Sequence, residues 1–217
     1  VPVKVGIGAQ IFNTILYAGV GSIISAFIPC VVAYMVERFD YKFSKFIYVL
    51  VITTMVLPIV GAYPSEIQLL NNLGLYNSIW GNWVQRSHFI SIYFLVYHSS
   101  FKMISKEFSE AAYIDGASEF SVLFKINFAL VRNVYLSIVL IKFIEAWNDY
   151  QIPLLYMPSY PTLAYGIWYL SNSFINGLSN VPMRMTGCII MVVPILCLFI
   201  FLKDKIMGNV SMGGLKE

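Results

Sequence analysis

Two groups of polar residues interrupt otherwise apolar sequence and could take part in chemistry. In the first, Lys142 and Glu145 precede the sequence Trp147-Asn148-Asp149 on an apolar run. A spacing of three places Lys142 and Glu145 on one face of a helix, where they can form an ion pair. A charge at bilayer depth costs at least about 2.5 kcal/mol, so such groups face a polar cavity or a partner. We interpret these residues as candidates for lining a solute pathway, and a structural ion pair between helices is the alternative for Lys142 and Glu145.

The second group lies in a polar segment, residues 105–126, between two apolar runs. Good helix formers occupy Lys106–Ile114, and Gly116 is a typical residue for ending a helix. A second helical stretch is predicted to begin at Ser118, with its hydroxyl as the N-cap. The small residues within the first helix would let another protein approach closely. On composition alone, an ordinary loop between helices explains the segment as well.

Neither group matches a catalytic or metal site. The sequence has no phosphate-binding Gly-x-x-x-x-Gly-Lys-Ser/Thr run, no Gly-x-Ser-x-Gly and no His-Glu-x-x-His. Cys30, Cys188 and Cys197 lie in apolar runs and match no metal spacing. His98 is predicted to be a hydrogen-bonded packing residue, with a proton relay as the alternative. We therefore predict no catalytic residue, no metal and no cofactor in this chain.

The elements that carry both groups are predicted to be membrane helices. The chain is 59% hydrophobic and 12% charged, whereas soluble domains average about 25% charged residues. Its mean hydropathy is +0.73. There is too little polar surface to cover a globule in water, and a lipid bilayer solves that problem. The net charge of +3 is too small and too dispersed to indicate nucleic-acid binding.

Five apolar stretches are predicted to cross the membrane as helices. A span needs about 20 residues, and backbone groups in lipid must be hydrogen-bonded within their own helix. The second and third stretches are near the lower limit of length. Prolines at 29, 58 and 194 are expected to kink or end their helices. The predicted spans are Phe12–Val36, Phe46–Tyr63, Ser87–Ile104, Asn133–Ile152 and Val181–Leu202.

Basic residues predict the orientation of these spans, because cytoplasmic loops carry an excess of Lys and Arg. One side of the predicted membrane has Lys4, Arg86 and Arg184. The other side has Arg38, Lys42, Lys45, Lys102, Lys106, Lys125, Arg132, Lys203, Lys205 and Lys216. The second side is therefore predicted to be cytoplasmic, together with a tail over residues 203–217, and the N-terminus of this chain is predicted to lie outside.

The polar segment resembles the EAA loop of ABC importer permeases. Its local form, Glu-Ala-Ala-x-x-Asp-Gly-Ala-Ser, is most similar to that of the carbohydrate permeases of the maltose type. Further similarity to the family lies at Leu73–Ser78, Trp147–Leu154, Thr162–Gly166 and Gly213–Lys216. The residues that carry the EAA resemblance are Glu110, Ala111, Ala112, Asp115, Gly116 and Ile126.

The resemblance implies an all-α membrane protein with the type I ABC importer permease fold. It implies one transmembrane domain over residues 1–217, with a cytoplasmic coupling loop at residues 105–127. The helix from Glu107 to Gly116 would dock on one of two separate ATPase subunits, which bind ATP and Mg²⁺, and the six EAA residues would be the coupling residues. The other implied partners are a second, related permease chain in a heterodimer and an external solute-binding protein that delivers a sugar or oligosaccharide. The implied location is a bacterial or archaeal cytoplasmic membrane.

The sequence departs from the family in two respects. The family usually has six helices and a cytoplasmic N-terminus, so the five visible here, together with the absent initial Met, predict a missing first helix. Prolines usually follow the isoleucine, but this chain has Phe128, Ala129 and Asn133, which predicts a straighter helix. A homodimer, an ABC permease for a non-sugar solute, a secondary carrier and an intramembrane enzyme are the alternatives. A carrier often has an internal repeat, which is not visible here.

Overall fold

The computed structural model describes residues 5–39, 41–57, 61–172 and 181–207. The described residues form helices and contain no strand, which confirms the predicted all-α class for this part of the chain. Pro58 and the tail over residues 208–217 lie outside the described residues. The helices are α1 (Ile7–Arg38), α2 (Lys42–Val56), α3 (Tyr63–Asn72), α4 (Ile79–Arg86), α5 (Ile92–Lys102), α6 (Glu107–Ile114), α7 (Glu119–Asn148), α8 (Gln151–Tyr156), α9 (Leu163–Asn172) and α10 (Val181–Met207).

Three of the described helices are long and apolar enough to cross a membrane. They are α1, α7 and the Val181–Phe201 part of α10, with 32, 30 and 21 residues. The first and fifth predicted spans lie within α1 and α10. The helix that carries the fourth predicted span, Asn133–Ile152, begins at Glu119, next to the predicted start at Ser118. The end of the predicted span is wrong, because the helix ends at Asn148 and Ile152 belongs to the separate helix α8.

The second and third predicted spans are longer than the helices observed there. Helix α2 has 15 residues and α5 has 11. At 1.5 Å per residue they measure about 22 and about 16 Å, against roughly 30 Å of hydrocarbon. Leu57 follows α2 in an extended conformation, and extended Ser91 precedes α5. An apolar run in the sequence does not reveal where the backbone leaves the helix.

Two long helices continue through a proline. Pro29 lies inside α1 and Pro194 lies inside α10. A proline removes a single backbone donor, and the remaining hydrogen bonds of a long helix can hold the segment together. Of the two predicted outcomes, a kink or a helix end, the second is therefore wrong at both positions.

The helices pack into two compact units, each with its own core. The first unit contains the described parts of Val1–Ile24, Val60–Ser87 and Leu140–Asp204. Its core includes Tyr17, Trp147, Met157 and Leu163. Polar residues near the start of α1 are buried there as well. Asn13 donates to the carbonyl of Pro161 at 3.1 Å, and the hydroxyl of Thr14 accepts from the Leu163 N–H at 2.8 Å. These bonds hold the chain before α9 against α1.

The second unit contains the described parts of Ser25–Ile59, His88–Val139 and Lys205–Glu217. In its core, small residues of α1 pack among aromatic residues of α5. The Tyr34 and Phe101 rings meet edge to face, with 5.6 Å between centroids. Small residues on one stripe allow such close helix packing. The core residues are Ala26, Cys30, Ala33, Tyr34, Val51, Phe94, Tyr97, Phe101, Val131 and Ile138.

Candidate functional site

The 105–127 segment forms the predicted pair of helices with a break between them. Helix α6 ends in a turn in which the Ala117 N–H donates to the Ala112 carbonyl at 2.9 Å. Gly116 has a φ of +80°, a left-handed conformation that favours glycine. The hydroxyl of Ser118 accepts from the Ser121 N–H at 3.4 Å, so the predicted N-cap is confirmed as a long bond. The helix over Lys106–Ile114 and its break at Gly116 are likewise confirmed.

One face of α6 is exposed and combines acidic with small residues. Glu110 and Ala111 are exposed, Ala112 is half-buried, and Ser109 on the opposite face is buried. Asp115 and Gly116 are exposed beyond the helix, and Ile126 is half-buried. Large apolar side chains flank this face, and the sequence analysis did not identify these side chains. Contiguous exposed apolar surface is typical of a protein or membrane contact. The flanking residues are Met103, Phe108, Ile114 and Phe120, which are 87, 57, 86 and 75% exposed.

The buried side of α6 is joined to two longer helices by side-chain hydrogen bonds. The Nδ2 of Asn127 donates to the Ser109 hydroxyl and to the Val122 carbonyl, both at 3.2 Å. The Oδ1 of Asn127 accepts from Nη2 of Arg38 at 2.8 Å. Arg38 also approaches the Ile104 carbonyl at 3.4 Å. We call these contacts the Arg38–Asn127–Ser109 network, and all of them lie in the second unit.

Asn127 ends a π-helical stretch of α7, Val122–Asn127. A π-helical stretch has i→i+5 bonding, is rare in proteins and frequently lies at functional sites. The side-chain Nδ2 of Asn127 also donates to the carbonyl of Val122, at the other end of this stretch. The segment after Ile126 lacks the prolines that are usual in the permease family. It belongs to an unbroken helix from Glu119 to Asn148, which contains the wider π-helical turn. The sequence indicates a role for Asn127 only through its position, as a single uncharged polar residue between the apolar residues Ile126 and Phe128.

A hydrogen bond closes the turn between α6 and α7. The hydroxyl of Tyr113 donates to Oε2 of Glu119 at 2.7 Å. The pKa of Tyr113 is raised, first by burial and then by this bond to a carboxylate. The phenol therefore keeps its proton at neutral pH and remains the donor. The bond spans the turn at Gly116 and fixes the direction in which α7 leaves it.

The predicted solute-pathway residues separate into an exposed and a buried group. Nζ of Lys142 lies 2.9 Å from Oε2 of Glu145, so the predicted pairing is confirmed. Their side chains are 24 and 53% exposed. Asn148 is exposed too, and its Nδ2 donates to the Ile144 carbonyl at 2.9 Å. Trp147 is buried and donates from Nε1 to the carbonyl of Met191 at 3.0 Å. Trp147 thus joins α7 to α10.

Asp149 is the centre of a polar cluster in the first unit. Its Oδ2 accepts from the Tyr17 hydroxyl at 2.6 Å and lies 3.7 Å from Nη2 of Arg86. Its Oδ1 accepts from the N–H groups of Gln151 and Ile152 at 2.9 and 3.1 Å. Arg86 also donates to the Tyr17 hydroxyl, and its guanidinium lies 4.4 Å from the centroid of the Tyr17 ring. Sequence reasoning missed Tyr17 and Arg86, because their contacts to Asp149 join distant parts of the chain.

A second cluster in the same unit joins α3 and α4 to α8 and to the segment that follows α8. The hydroxyl of Tyr156 donates to Oε2 of Glu66, which also accepts from Nε2 of Gln85 at 2.9 Å. The pKa of Tyr156 is raised, first by burial and then by the bond to Glu66. Asn77 and Ser159 exchange two hydrogen bonds, each 2.9 Å long. The stretch 73–78, which resembles the permease family, thus contacts the segment after α8 through Asn77.

His98 is packed as predicted. Its Nε2 lies 3.1 Å from Oε2 of Glu37, and its ring contacts that of Tyr48 with 4.7 Å between centroids. These contacts confirm a hydrogen-bonded packing histidine. In the part of the chain that the structure describes, no three His, Cys, Asp or Glu side chains are grouped so that they could hold a metal ion.

Solved structures of ABC importers have a similar fold. A bacterial ABC transporter that imports the acidic polysaccharide alginate matches with a TM-score of 0.75 and 21% identity, over 91% of this chain and 74% of that chain. A bacterial alginate ABC transporter in complex with an alginate pentasaccharide-bound periplasmic protein matches with a TM-score of 0.60 and 15% identity, over 94% and 81%. These matches show the fold that the resemblance implies.

Similar sequences are permease proteins. The probable ABC transporter permease YurM of Bacillus subtilis (strain 168) is 25% identical, over 97% of this chain and 70% of that protein. The melibiose/raffinose/stachyose import permease MelC of the same strain is 21% identical, over 98% and 78%. Its arabinooligosaccharide permease AraQ is 22% identical, over 94% and 72%. The family described as binding-protein-dependent transport system inner membrane component matches residues 27–207. The predicted resemblance is thereby confirmed, and the chain belongs to this family of inner-membrane transport components.

Proposed function

We propose that the chain is the permease subunit of an ABC importer for a sugar or oligosaccharide. The family places the chain in the inner membrane as part of a binding-protein-dependent transport system. The carbohydrate class is supported by the names of the oligosaccharide permeases among its relatives. The structural observation that carries the role is α6, a surface helix whose exposed face is acidic and small and whose buried face is hydrogen-bonded to the long helices α1 and α7.

The proposed topology has five spans, formed by α1, α2, α5, α7 and α10. Helices α2 and α5 are shorter than the other three, and the chain beside them would complete their passage through the bilayer. The excess of basic residues then orients the 105–127 segment toward the cytoplasm. The tail over residues 203–217 is proposed to lie on the same side; its first five residues are the end of α10, and its last ten residues lie outside the described part of the chain.

The proposed partners provide the energy and the solute. Two ATPase subunits bind ATP and Mg²⁺, and one of them receives α6 at Glu110, Ala111 and Ala112. A second, related permease chain completes the membrane domain, and an external solute-binding protein delivers the solute. ATP binding would displace α6, and the membrane helices would then change between two arrangements that open to opposite sides.

The solute pathway is proposed to include Lys142, Glu145 and Asn148, with Trp147 and Asp149 beside them. The first three are exposed or half-buried in the described structure, and their polar atoms suit the hydroxyl groups of a carbohydrate. The contacts of Trp147 and Asp149 give these two residues a packing and hydrogen-bonding role as well.

Replacement of Lys142 by methionine tests this pathway. The ion pair to Glu145 is half exposed and joins residues three apart, so its loss is expected to lower stability by less than about 1 kcal/mol. Solute uptake is nevertheless expected to fall, because the side chain would contact the solute. The matched control is Arg132→Met, which replaces an exposed basic residue of the same helix outside the 105–127 segment. Equal uptake by both variants in proteoliposomes would show that Lys142 is not part of the solute pathway.

The proposed function is tested with the transporter purified from cells that express this chain together with its neighbouring genes. We expect an ATPase to co-purify, and labelled raffinose or arabinotriose to enter proteoliposomes only when ATP is present with the ATPase. Uptake without ATP would indicate a secondary carrier. Uptake of labelled amino acids and of no carbohydrate would instead favour an ABC permease for another class of solute.

A further inference from the structure

We propose that Asn127 is a positioning residue that ties α6 to the membrane helices α1 and α7, so that a displacement of α6 is passed to both. The inference rests on the proposed function, because it assigns a residue to the coupling step of the importer. None of the residues that carry the EAA resemblance makes this connection, since Asn127 follows Ile126 and points into the protein.

Both the nitrogen and the oxygen of the Asn127 side-chain amide form hydrogen bonds. It is fully buried, and its Nδ2 donates to Ser109 of α6 while its Oδ1 accepts from Arg38 at the end of α1. A side-chain amide has two donor hydrogens and an acceptor oxygen, so one residue can serve three helices at once. A leucine or alanine at this position could fill space but could make neither bond.

The burial of these bonds explains why α6 would move together with the long helices. Ser109 is 6% exposed and Asn127 is 0% exposed. Separation of α6 from Asn127 would leave a buried donor and a buried hydroxyl without partners, which is unfavourable where water cannot replace them. A displaced α6 therefore carries the start of α7 with it, and the bond to Arg38 extends the displacement to the end of α1.

The network also has an unused donor. Nε of Arg38 is buried and has no hydrogen-bond partner in the described part of the chain. The same groups could therefore form a second arrangement in which this donor is satisfied. Coupling between distant sites requires an element with two discrete arrangements.

The test uses the assembled transporter and needs no solute. A reporter cysteine is placed just beyond the end of α7 by Gln151→Cys, at an exposed position, and exposed Cys188 and Cys197 are replaced by alanine. The rate of labelling by a membrane-impermeant maleimide is measured without nucleotide and after trapping with Mg-ATP and vanadate. Ser109→Ala and Asn127→Ala break the network. Ser109→Ala removes one hydroxyl and keeps the Arg38 bond, so it remains informative if Asn127→Ala assembles poorly.

The matched control is Ser100→Ala, which loses a hydrogen bond from its hydroxyl to the Val96 carbonyl within α5 alone. We expect trapping to change the labelling rate in the parent and in the control. In both network variants we expect that change to be lost, although vanadate still traps nucleotide.

A purely structural role for Asn127 would lower the yield of complex but preserve the change in labelling rate in the complexes that assemble. An unaltered change in Ser109→Ala and Asn127→Ala overturns the inference and leaves the proposed function intact. Absence of nucleotide trapping in the parent would contradict the proposed function itself, and the inference with it.

Discussion

Replacement of Gly116 by valine is expected to uncouple ATP hydrolysis from solute uptake while the protein still inserts into the membrane. Gly116 has a φ of +80°, and a left-handed conformation costs a residue with a Cβ atom about 1–2 kcal/mol, more when it is β-branched. A Cβ atom there would meet nothing within 4 Å, so the effect would come from the backbone rather than from a clash. Relief of the strain would turn α6 away from its present direction relative to α7.

The expected magnitude follows from that strain. A strain of about 1.4 kcal/mol shifts the equilibrium between the present turn and a relaxed turn by tenfold. Because only the present turn directs α6 correctly, we expect uptake per ATP hydrolysed to fall by about tenfold. Proteoliposomes that contain the assembled transporter give both rates. Gly116→Asn is the matched control, because asparagine adds a side chain but tolerates the left-handed region. Equal losses in the valine and asparagine variants would show that side-chain bulk, not backbone conformation, is responsible, and normal coupling in both would count against this turn as part of the coupling element.

A second large effect is expected from Asp149→Ala. The substitution removes the acceptor of the fully buried Tyr17, the carboxylate nearest Arg86 and the cap of two backbone N–H groups. Loss of one partner of a buried charged pair costs about 3–5 kcal/mol, and loss of a cap costs about 1 kcal/mol. The side chains of Arg86 and Asp149 are 17 and 21% exposed, so water compensates part of the loss. We expect a decrease in stability of about 2–4 kcal/mol.

Thermal unfolding of the purified transporter in detergent measures this effect. Glu145→Ala is the matched control, since it removes a carboxylate from the same part of the chain whose side chain is 53% exposed. Its expected loss is about 0–1 kcal/mol. Asp149→Asn should be intermediate, because an amide oxygen can still cap Gln151 while the charge beside Arg86 is lost. A smaller loss of stability in Asp149→Ala than in Glu145→Ala would contradict the importance of the cluster.

Local sequence signals predicted the features that depend on neighbouring residues. The apolar runs of α1 and α10 are long enough to cross a membrane as helices, and the glycine at 116 marks the end of α6. The end of α2 at Val56 also has a local signal, because a proline at 58 disfavours a helical conformation for the residue before it, and Leu57 is extended. The start of α5 was not predicted, because the apolar run continues on both sides of extended Ser91.

The partners of the long-range polar contacts could not be predicted from a single sequence. A charged or amide group within an apolar run indicates that it has a partner, but not which partner it has. Asp149 contacts Tyr17 across 132 positions, and Asn127 contacts Arg38 across 89. Only the fold brings these groups together. The Lys142–Glu145 pair was predictable, because its two residues are three positions apart on one helix.

The uncoupling expected for Gly116→Val depends on whether the exposed face of α6 contacts an ATPase in the cytoplasm. The most direct measurement places a photo-reactive residue at Ala111, which is exposed on that face. Irradiated cells are then examined for the cross-linked protein. We expect a cross-link to a soluble subunit that binds ATP. Cross-linking to an extracytoplasmic protein, or labelling of Ala111→Cys in intact cells by a membrane-impermeant maleimide, would contradict it.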